Sequence, residues 1–284
     1  MQMDNKLLAG LEAMGLGKMA DLDLYGDTKE EKKPEAQKNE PVQVNEADFL
    51  LAKTMKCPVC DSEFKCKTIK AAKMPKLISR DPDLRCIYAD IDVYKYGVVS
   101  CPICGYASMM KTFGPMPSAQ IKLIREQISA NFTGLGEEPE TYDYDDAIAR
   151  YKLALVNTVV KRAKVSERAY VCLHIAWLLR GKRQNLPADT PNKAAVEQDL
   201  LTEENDCLAK ARDGSMDAFS KESFPMCGMD ESTTTYLIAA LCGKTGQREE
   251  ALRWTSKILA NTTTNNRIKD LARNLKELIV NGEI

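Results

Sequence analysis

Two short stretches constrain this chain more than anything else in it: "KCPVCDSEF", with Cys57 and Cys60, and "SCPICGYA", with Cys101 and Cys104. Each is a C-P-x-C turn, and forty residues separate the two pairs. In such a turn backbone N–H groups point at the thiolates, and the residue after the second cysteine needs a left-handed backbone. Gly105 supplies that conformation directly, and Asp61 reaches it at some strain. Four thiolates at tetrahedral separation suit zinc, with bonds near ~2.3 Å and no coordination position left open. A closed site of this kind stabilises a fold and does not catalyse. Structural zinc contributes roughly 10–16 kcal/mol of apparent binding energy in small peptides, more than a short β segment gains from its own core. The competing metal is iron in a rubredoxin-like site, which the same donors accept and which would make the protein red.

The remaining cysteines depend on the compartment. No stretch approaches the apolar run of about eighteen residues that a membrane span needs, and "MQMDNKLLAGLEAMG" has acids where a secretory signal has a basic end. The chain therefore reads as cytoplasmic, where ten cysteines are not a disulfide framework. Cys66 and Cys86 lie between the two pairs without a paired turn of their own. Each has the chemistry to replace one of the four ligands, but both read as buried or half-buried thiols. Cys172, Cys207 and Cys242 lie in helical text as small core residues, and Cys227, in "FPMCGMD", reads as packed rather than reactive.

Patterning divides the chain into four parts. Residues 1–25 predict an amphipathic helix with Leu7, Leu8, Leu11 and Met14 on one face, which must dock either on this protein or on a partner. Residues 26–46 are charged, proline-bearing and without aromatics, and predict a disordered linker. Residues 47–115 predict a four-cysteine module of short strands, among them "EFKCKTI" and "YKYGVVS". Residues 116–284 predict helices. Their apolar faces run through Ile121, Ile124, Ile128 and Phe132; Ile148, Tyr151, Leu155 and Val159; Ala169, Leu173, Ala176 and Leu179; Tyr236, Leu237, Ala240 and Leu241; and Ile268, Leu271, Leu275 and Leu278. Ser166 and the pair Thr190–Pro191 suit helix starts.

In "AIARYKLA", Ala147, Tyr151 and Ala154 have the spacing of the second helix of a tetratricopeptide unit. Gly246, Ala251 and Ile258 fall in the corresponding places of "GQREEALRWTSKIL", with Thr255 where an aromatic is expected. The stretch 192–223 fits the repeat poorly. The expected fold is mainly α: a zinc-ribbon-like pair of knuckles followed by tetratricopeptide-like antiparallel helical hairpins.

Catalytic text is sparse. The single histidine, His174, sits in "CLHIAWLLR" as a packed imidazole, and no nucleophile elbow or Walker loop appears, so no enzyme activity or small-molecule substrate is inferred. Charge is uneven: residues 53–114 carry 11 basic and 6 acidic side chains, whereas residues 1–52 carry 6 and 11. Lys65, Lys67, Lys70 and Lys73 either form a solvated face or meet nucleic-acid phosphates; no aromatics are interleaved with them for base stacking. The expectation is a zinc-stabilised protein-interaction adaptor with an unidentified protein partner. The alternative is a zinc-ribbon nucleic-acid binder using the basic face of residues 53–80.

"CPVCDSEFKCKTIK", "SRDPDLRCIYADIDVYKYGVVSCPICGYA", "AYVCLHIAWLLR" and "TYLIAALCGKTGQREEALRW" resemble, in order, the bacterial family known as domain of unknown function 2225. The resemblance runs from about Phe49 to the C-terminus and implies no substrate, because the family has no established activity. It implies Cys57, Cys60, Cys101 and Cys104 as metal ligands, and a role for Arg80, Asp81, Asp83 and Tyr88 in connecting the knuckles. Val93 stands where the family pattern has proline.

Overall fold

Residues 45–284 are described by a computed structural model. The helix expected over 1–25 lies outside the described residues, as does the linker expected over 26–46 except for its last two positions. Those two are ordered. Asn45 caps a 3-10 turn, Glu46–Phe49, by accepting from the Ala47 amide at 3.0 Å. Glu46 in turn accepts from Lys95 Nζ at 2.7 Å and from the Tyr96 hydroxyl at 2.6 Å.

The module predicted as β-rich consists of three two-stranded antiparallel ribbons. β1 (Leu50–Lys56) pairs with β2 (Glu63–Ile69) around the first cysteine pair, and β3 (Leu77–Arg80) pairs with β4 (Cys86–Tyr88). β5 (Val98–Ser100) pairs with β6 (Ala107–Met109) around the second cysteine pair. Alternation in "EFKCKTI" behaves as a strand should: Phe64 and Cys66 are buried and Lys65 is exposed. "YKYGVVS" is a strand only in its second half. Its tyrosines override the pattern, because Tyr94 accepts the Cys86 amide at 2.8 Å and Tyr96 accepts the Tyr142 amide at 3.1 Å. They hold a 3-10 turn, Val93–Tyr96, which Asp92 caps by accepting from Tyr94 N at 3.0 Å. Val93 therefore starts this turn without the proline of the family pattern.

The helices are α1 (Ser118–Ile124), continued by a π turn over Arg125–Ser129, then α2 (Tyr144–Val160), α3 (Val165–Gln184), α4 (Lys193–Lys221), α5 (Glu231–Lys244), α6 (Arg248–Ala260) and α7 (Asn266–Asn281). Among the described residues the fold is thus mainly α with small antiparallel strand pairs, as the patterning predicts. Neighbours in sequence pack on one another: α2 on α3, α3 on α4, α5 on α6 and α6 on α7. Ala147, Tyr151 and Ala154 on α2, and Ala251, Thr255 and Ile258 on α6, are buried where helices approach closely. No helix among the described residues is long and apolar enough to cross a membrane.

Three local expectations change. The buried stripe of α2 runs through Ala154, Asn157 and Thr158, while Val159 is exposed, because this helix faces the second cysteine turn. Ser166 lies inside the first turn of α3 and gives its hydroxyl to Glu222 at 2.6 Å instead of capping. Thr190 bonds back to the Pro187 carbonyl at 2.8 Å, so α4 begins only after Asn192, which is left-handed at φ 50°. The 192–223 stretch fits no repeat because residues Lys193–Lys221 form one 29-residue helix.

The middle of α3, Val171 to Gly181, is buried on every side, yet it carries Arg180 inward. Arg180 makes a two-pronged pair with Asp83, at 3.0 and 2.7 Å, and also bonds Asp81 and Glu204, each at 2.7 Å. Arg183 satisfies the other Glu204 oxygen at 2.9 Å. Burial pushes the Asp83 carboxyl up, but the Arg180 hydrogen bonds and charge overcome this and hold it below the usual carboxylate range. The R-D-P-D-L segment between β3 and β4 is thereby strapped to the helices, and Tyr236 adds a bond to the Pro82 carbonyl at 2.9 Å. Replacing Arg180 by Met leaves buried carboxylates unpaired and is expected to cost about 3–5 kcal/mol in urea unfolding. Arg180→Lys recovers only part of this, since an ammonium cannot fork to both Asp83 oxygens.

Candidate metal centre

The two cysteine turns are built alike. Cys57 N donates to the Ser62 carbonyl at 2.9 Å, and Cys101 N to the Tyr106 carbonyl at 2.8 Å. Asp61 N returns to the Cys57 carbonyl at 3.0 Å, and Gly105 N to the Cys101 carbonyl at 3.1 Å. The residue after each second cysteine is left-handed, Asp61 at φ 61° and Gly105 at φ 71°, as the spacing requires. At Gly105 packing adds to the backbone demand, because a Cβ there would sit 2.6 Å from the Phe132 ring. Val59 N also points at Cys57 Sγ, at 3.4 Å.

These turns bring the Sγ atoms of Cys57, Cys60, Cys101 and Cys104 within 4.8 Å of one another. Two edges of the quartet, Cys57–Cys104 and Cys60–Cys101, measure 3.5 and 3.6 Å. A tetrahedral thiolate site with bonds near ~2.3 Å has S···S edges of roughly 3.8 Å, so the quartet has the size of a four-coordinate metal site. Hydrogen bonds from Cys104 and Cys57 hold the Cys101 thiol low, and the bonds to Cys101 push the Cys57 and Cys104 thiols up. Four sulfurs at this spacing cannot all carry charge without a cation among them, and a divalent ion removes the conflict.

Each turn is tied to a helix. Arg125, in the π turn after α1, donates its guanidinium to the Val59 carbonyl, with Nε at 3.0 Å. Asn157, fully buried on α2, donates to the Gly105 carbonyl at 2.9 Å. Sequence reasoning missed both residues, although a polar Asn157 between the apolar positions of α2 was a signal. Val59, Val99, Tyr106, Ile124 and Ile128 pack around the sulfurs in one buried cluster.

The other candidates fall elsewhere. Cys66 belongs to the same apolar cluster but not to the quartet, and burial pushes its thiol up. Cys86 sits on β4 and accepts from Arg80 Nε at 3.3 Å. Burial raises Cys207, Cys227 and Cys242 to about 11, the opposite of an activated thiolate. His174 is packed among Tyr94, Tyr151, Tyr170 and Trp177, and burial pushes it down to about 3, so it is a neutral core side chain. Asp81 and Asp83 join the strap to Arg180 and do not bridge the cysteine turns, while Arg80 and Tyr88 lie on the β3–β4 ribbon.

Of the four lysines, Lys65 is exposed on β2. Lys67 pairs with Glu138 and lies over the Tyr142 ring at 4.6 Å. Lys70 donates to the Asp48 carbonyl at 2.9 Å, and Lys73 pairs with the Asp48 carboxylate at 3.5 Å. Three of the four therefore have partners within the chain.

Replacing Cys101 by Ser is expected to abolish stoichiometric metal, measured by inductively coupled plasma mass spectrometry, and to unfold the β ribbons by circular dichroism. Asn157→Ala keeps all four sulfurs, so metal content stays near one ion per chain while stability falls by about 1–3 kcal/mol for the carbonyl left unbonded.

No curated protein and no solved structure matches this chain. A family model does, over residues 50–279, and its span takes in the strap, both cysteine turns, helices α1 to α6 and α7 as far as its last turn. The chain belongs to that family, described as an uncharacterized protein conserved in bacteria (DUF2225).

Proposed function

We propose that this is a cytoplasmic protein-interaction adaptor in which one zinc ion stabilises the β-rich module that caps a set of tetratricopeptide-like helical hairpins. The observation that carries the reading is the closure of the sulfur quartet. Four cysteine sulfurs lie close enough to supply every donor of a tetrahedral site, and both turns are bonded to helices through Arg125 and Asn157. Such an ion has no position for substrate or water, and its work is to hold the module to the helical body. Among the titratable groups, the one histidine is buried and neutral, which removes the usual general base.

Zinc is preferred to iron because a closed thiolate site with a purely structural task needs no redox chemistry. The helical surface offers contact area: Val156 and Val159, one turn apart on α2, are 50% and 54% exposed. The nucleic-acid reading has weaker support, since Lys67, Lys70 and Lys73 are engaged within the chain.

The purified protein is expected to be colourless with about one zinc per chain. A photo-crosslinking residue at Val159 should capture a discrete protein in bacterial cells, and the same residue at Lys65 should not. A red protein would replace zinc with iron. Capture of nucleic acid at Lys65, weakening steeply with salt, in place of protein at Val159, would overturn the adaptor reading.

A further inference from the structure

Large apolar side chains that meet solvent gather on one short segment. Met74, Leu77 and Ile78 are 62%, 45% and 64% exposed. Chain geometry alone keeps them within roughly 14 Å of one another. Strand β3 has no buried face: it is bonded to β4 alone, and all four of its residues are exposed. A shift of register between Leu77 and Ser79 leaves Ile78 without a partner on β4. Tyr88, directly opposite Leu77, is half-buried and adds an amphipathic ring to the same face. Exposed apolar clusters of this kind mark contact surfaces.

The segment is held in shape. Pro75 is buried between exposed neighbours and biases Met74 toward the extended backbone it has, φ −68° and ψ 131°. The Lys76 carbonyl accepts from Ala89 N at 2.9 Å. The apolar side chains are therefore presented from a fixed backbone.

What surrounds them is basic. Residues 64–80 hold five lysines, one arginine and no acid. Lys70 and Lys73 lean on Asp48, through its carbonyl at 2.9 Å and its carboxylate at 3.5 Å, yet Lys73 keeps 47% of its side chain exposed. Lys76 is exposed with no ion-pair partner among the described residues. Arg80 gives its Nε to Cys86 Sγ at 3.3 Å, and its two terminal nitrogens have no partner among the described residues. The exposed acid on the β4 side is Asp90, next to Ala89. Lys70, Lys73, Lys76 and Arg80 thus outnumber Asp48 and Asp90.

We infer that the β3 ribbon is a membrane-contact element, which lays Met74, Leu77 and Ile78 into the surface of an anionic bilayer with Lys73, Lys76 and Arg80 on the lipid phosphates. Such a surface answers both features, since the acyl boundary takes aliphatic tips and the headgroups take cations. A nucleic acid meets the cations but leaves three aliphatic side chains in water, with the half-buried Tyr88 as the one ring beside them to stack on. The whole chain carries a net charge of −1, so attraction to an anionic surface comes from where this ribbon places its charge and not from the total. Three side chains give reversible contact, not a span.

The test is cosedimentation of the full chain with vesicles of phosphatidylcholine alone or mixed with phosphatidylglycerol. The protein should sediment with the mixed vesicles, not with phosphatidylcholine alone, and less so as salt rises. Ile78→Ser should weaken binding about tenfold, the transfer of one aliphatic side chain. Lys76→Gln should weaken it about fivefold, the share of one surface charge. Both positions are exposed, so urea unfolding should not move. Val280→Ser, at an aliphatic side chain 51% exposed on α7, should leave binding unchanged. No sedimentation with the mixed vesicles, or equal sedimentation with both kinds, would overturn the proposal. So would binding that Lys76→Gln weakens and Ile78→Ser does not, because that is adsorption by charge alone. An oligonucleotide bound by the chain in place of vesicles would assign the segment to nucleic acid and overturn it too.

Discussion

The two ribbons that carry the cysteine turns depend on four sulfur atoms meeting. The ribbon that carries the second cysteine turn has strands of only three residues, Val98–Ser100 and Ala107–Met109. A two-stranded ribbon of that length is not stable in water by itself. The first turn lies on a longer hairpin, but β1 exposes most of its residues and buries little. What fixes these pieces in place is the quartet, together with the two helix side chains that reach the turn carbonyls. The sulfurs set the distance between the turns, and Arg125 and Asn157 set their orientation to the helices.

A second fastening lies on the strap between β3 and β4 and has a different chemistry. Arg180 gathers three carboxylates, two from the strap and one from α4, inside an apolar helix surface. Buried ion pairs are poor sources of net stability, because removing the charges from water offsets most of the attraction. Their geometry is nonetheless unforgiving: a fork with five donors and Asp83 fully buried permits one docking of the strap and penalises every other. The quartet brings the two cysteine turns together, while the Arg180 network selects how the strap docks.

How much of this was legible depended on the range of the interaction. The cysteine quartet was legible because its spacing is local, C-P-x-C twice, with Asp61 and Gly105 marking the left-handed positions. The faces of α3 and α5 were legible because Ala169, Leu173, Ala176 and Leu179, and Tyr236, Leu237, Ala240 and Leu241, repeat with the helix and are all buried. The partners of Arg180 were not, since Asp83 lies 97 residues away and no periodicity links them. The tyrosines of "YKYGVVS" misled for a related reason. Alternation predicts a strand, but hydroxyl bonds to Cys86, 8 residues away, and to Glu46 and Tyr142, 50 and 46 residues away, hold a turn. Val159 and Thr190 failed because their surroundings, a cysteine turn facing α2 and a carbonyl at Pro187, are tertiary or non-helical facts.

The strap and the cavity beside β4 share a residue, Arg85. Arg85 follows Asp83 by two positions, so docking the strap on Arg180 also places Arg85 at the cavity wall. Asp81 lies between them electrostatically, 2.7 Å from Arg180 and 3.8 Å from Arg85. Arg85 is further held by Gln184 at 3.0 Å and by Asp92 at 3.5 Å. Its guanidinium is thus oriented on several sides by the folded chain. An interaction that contributes little to stability can in this way fix a second buried charge, because its rigidity is passed along the five residues from Asp81 to Arg85.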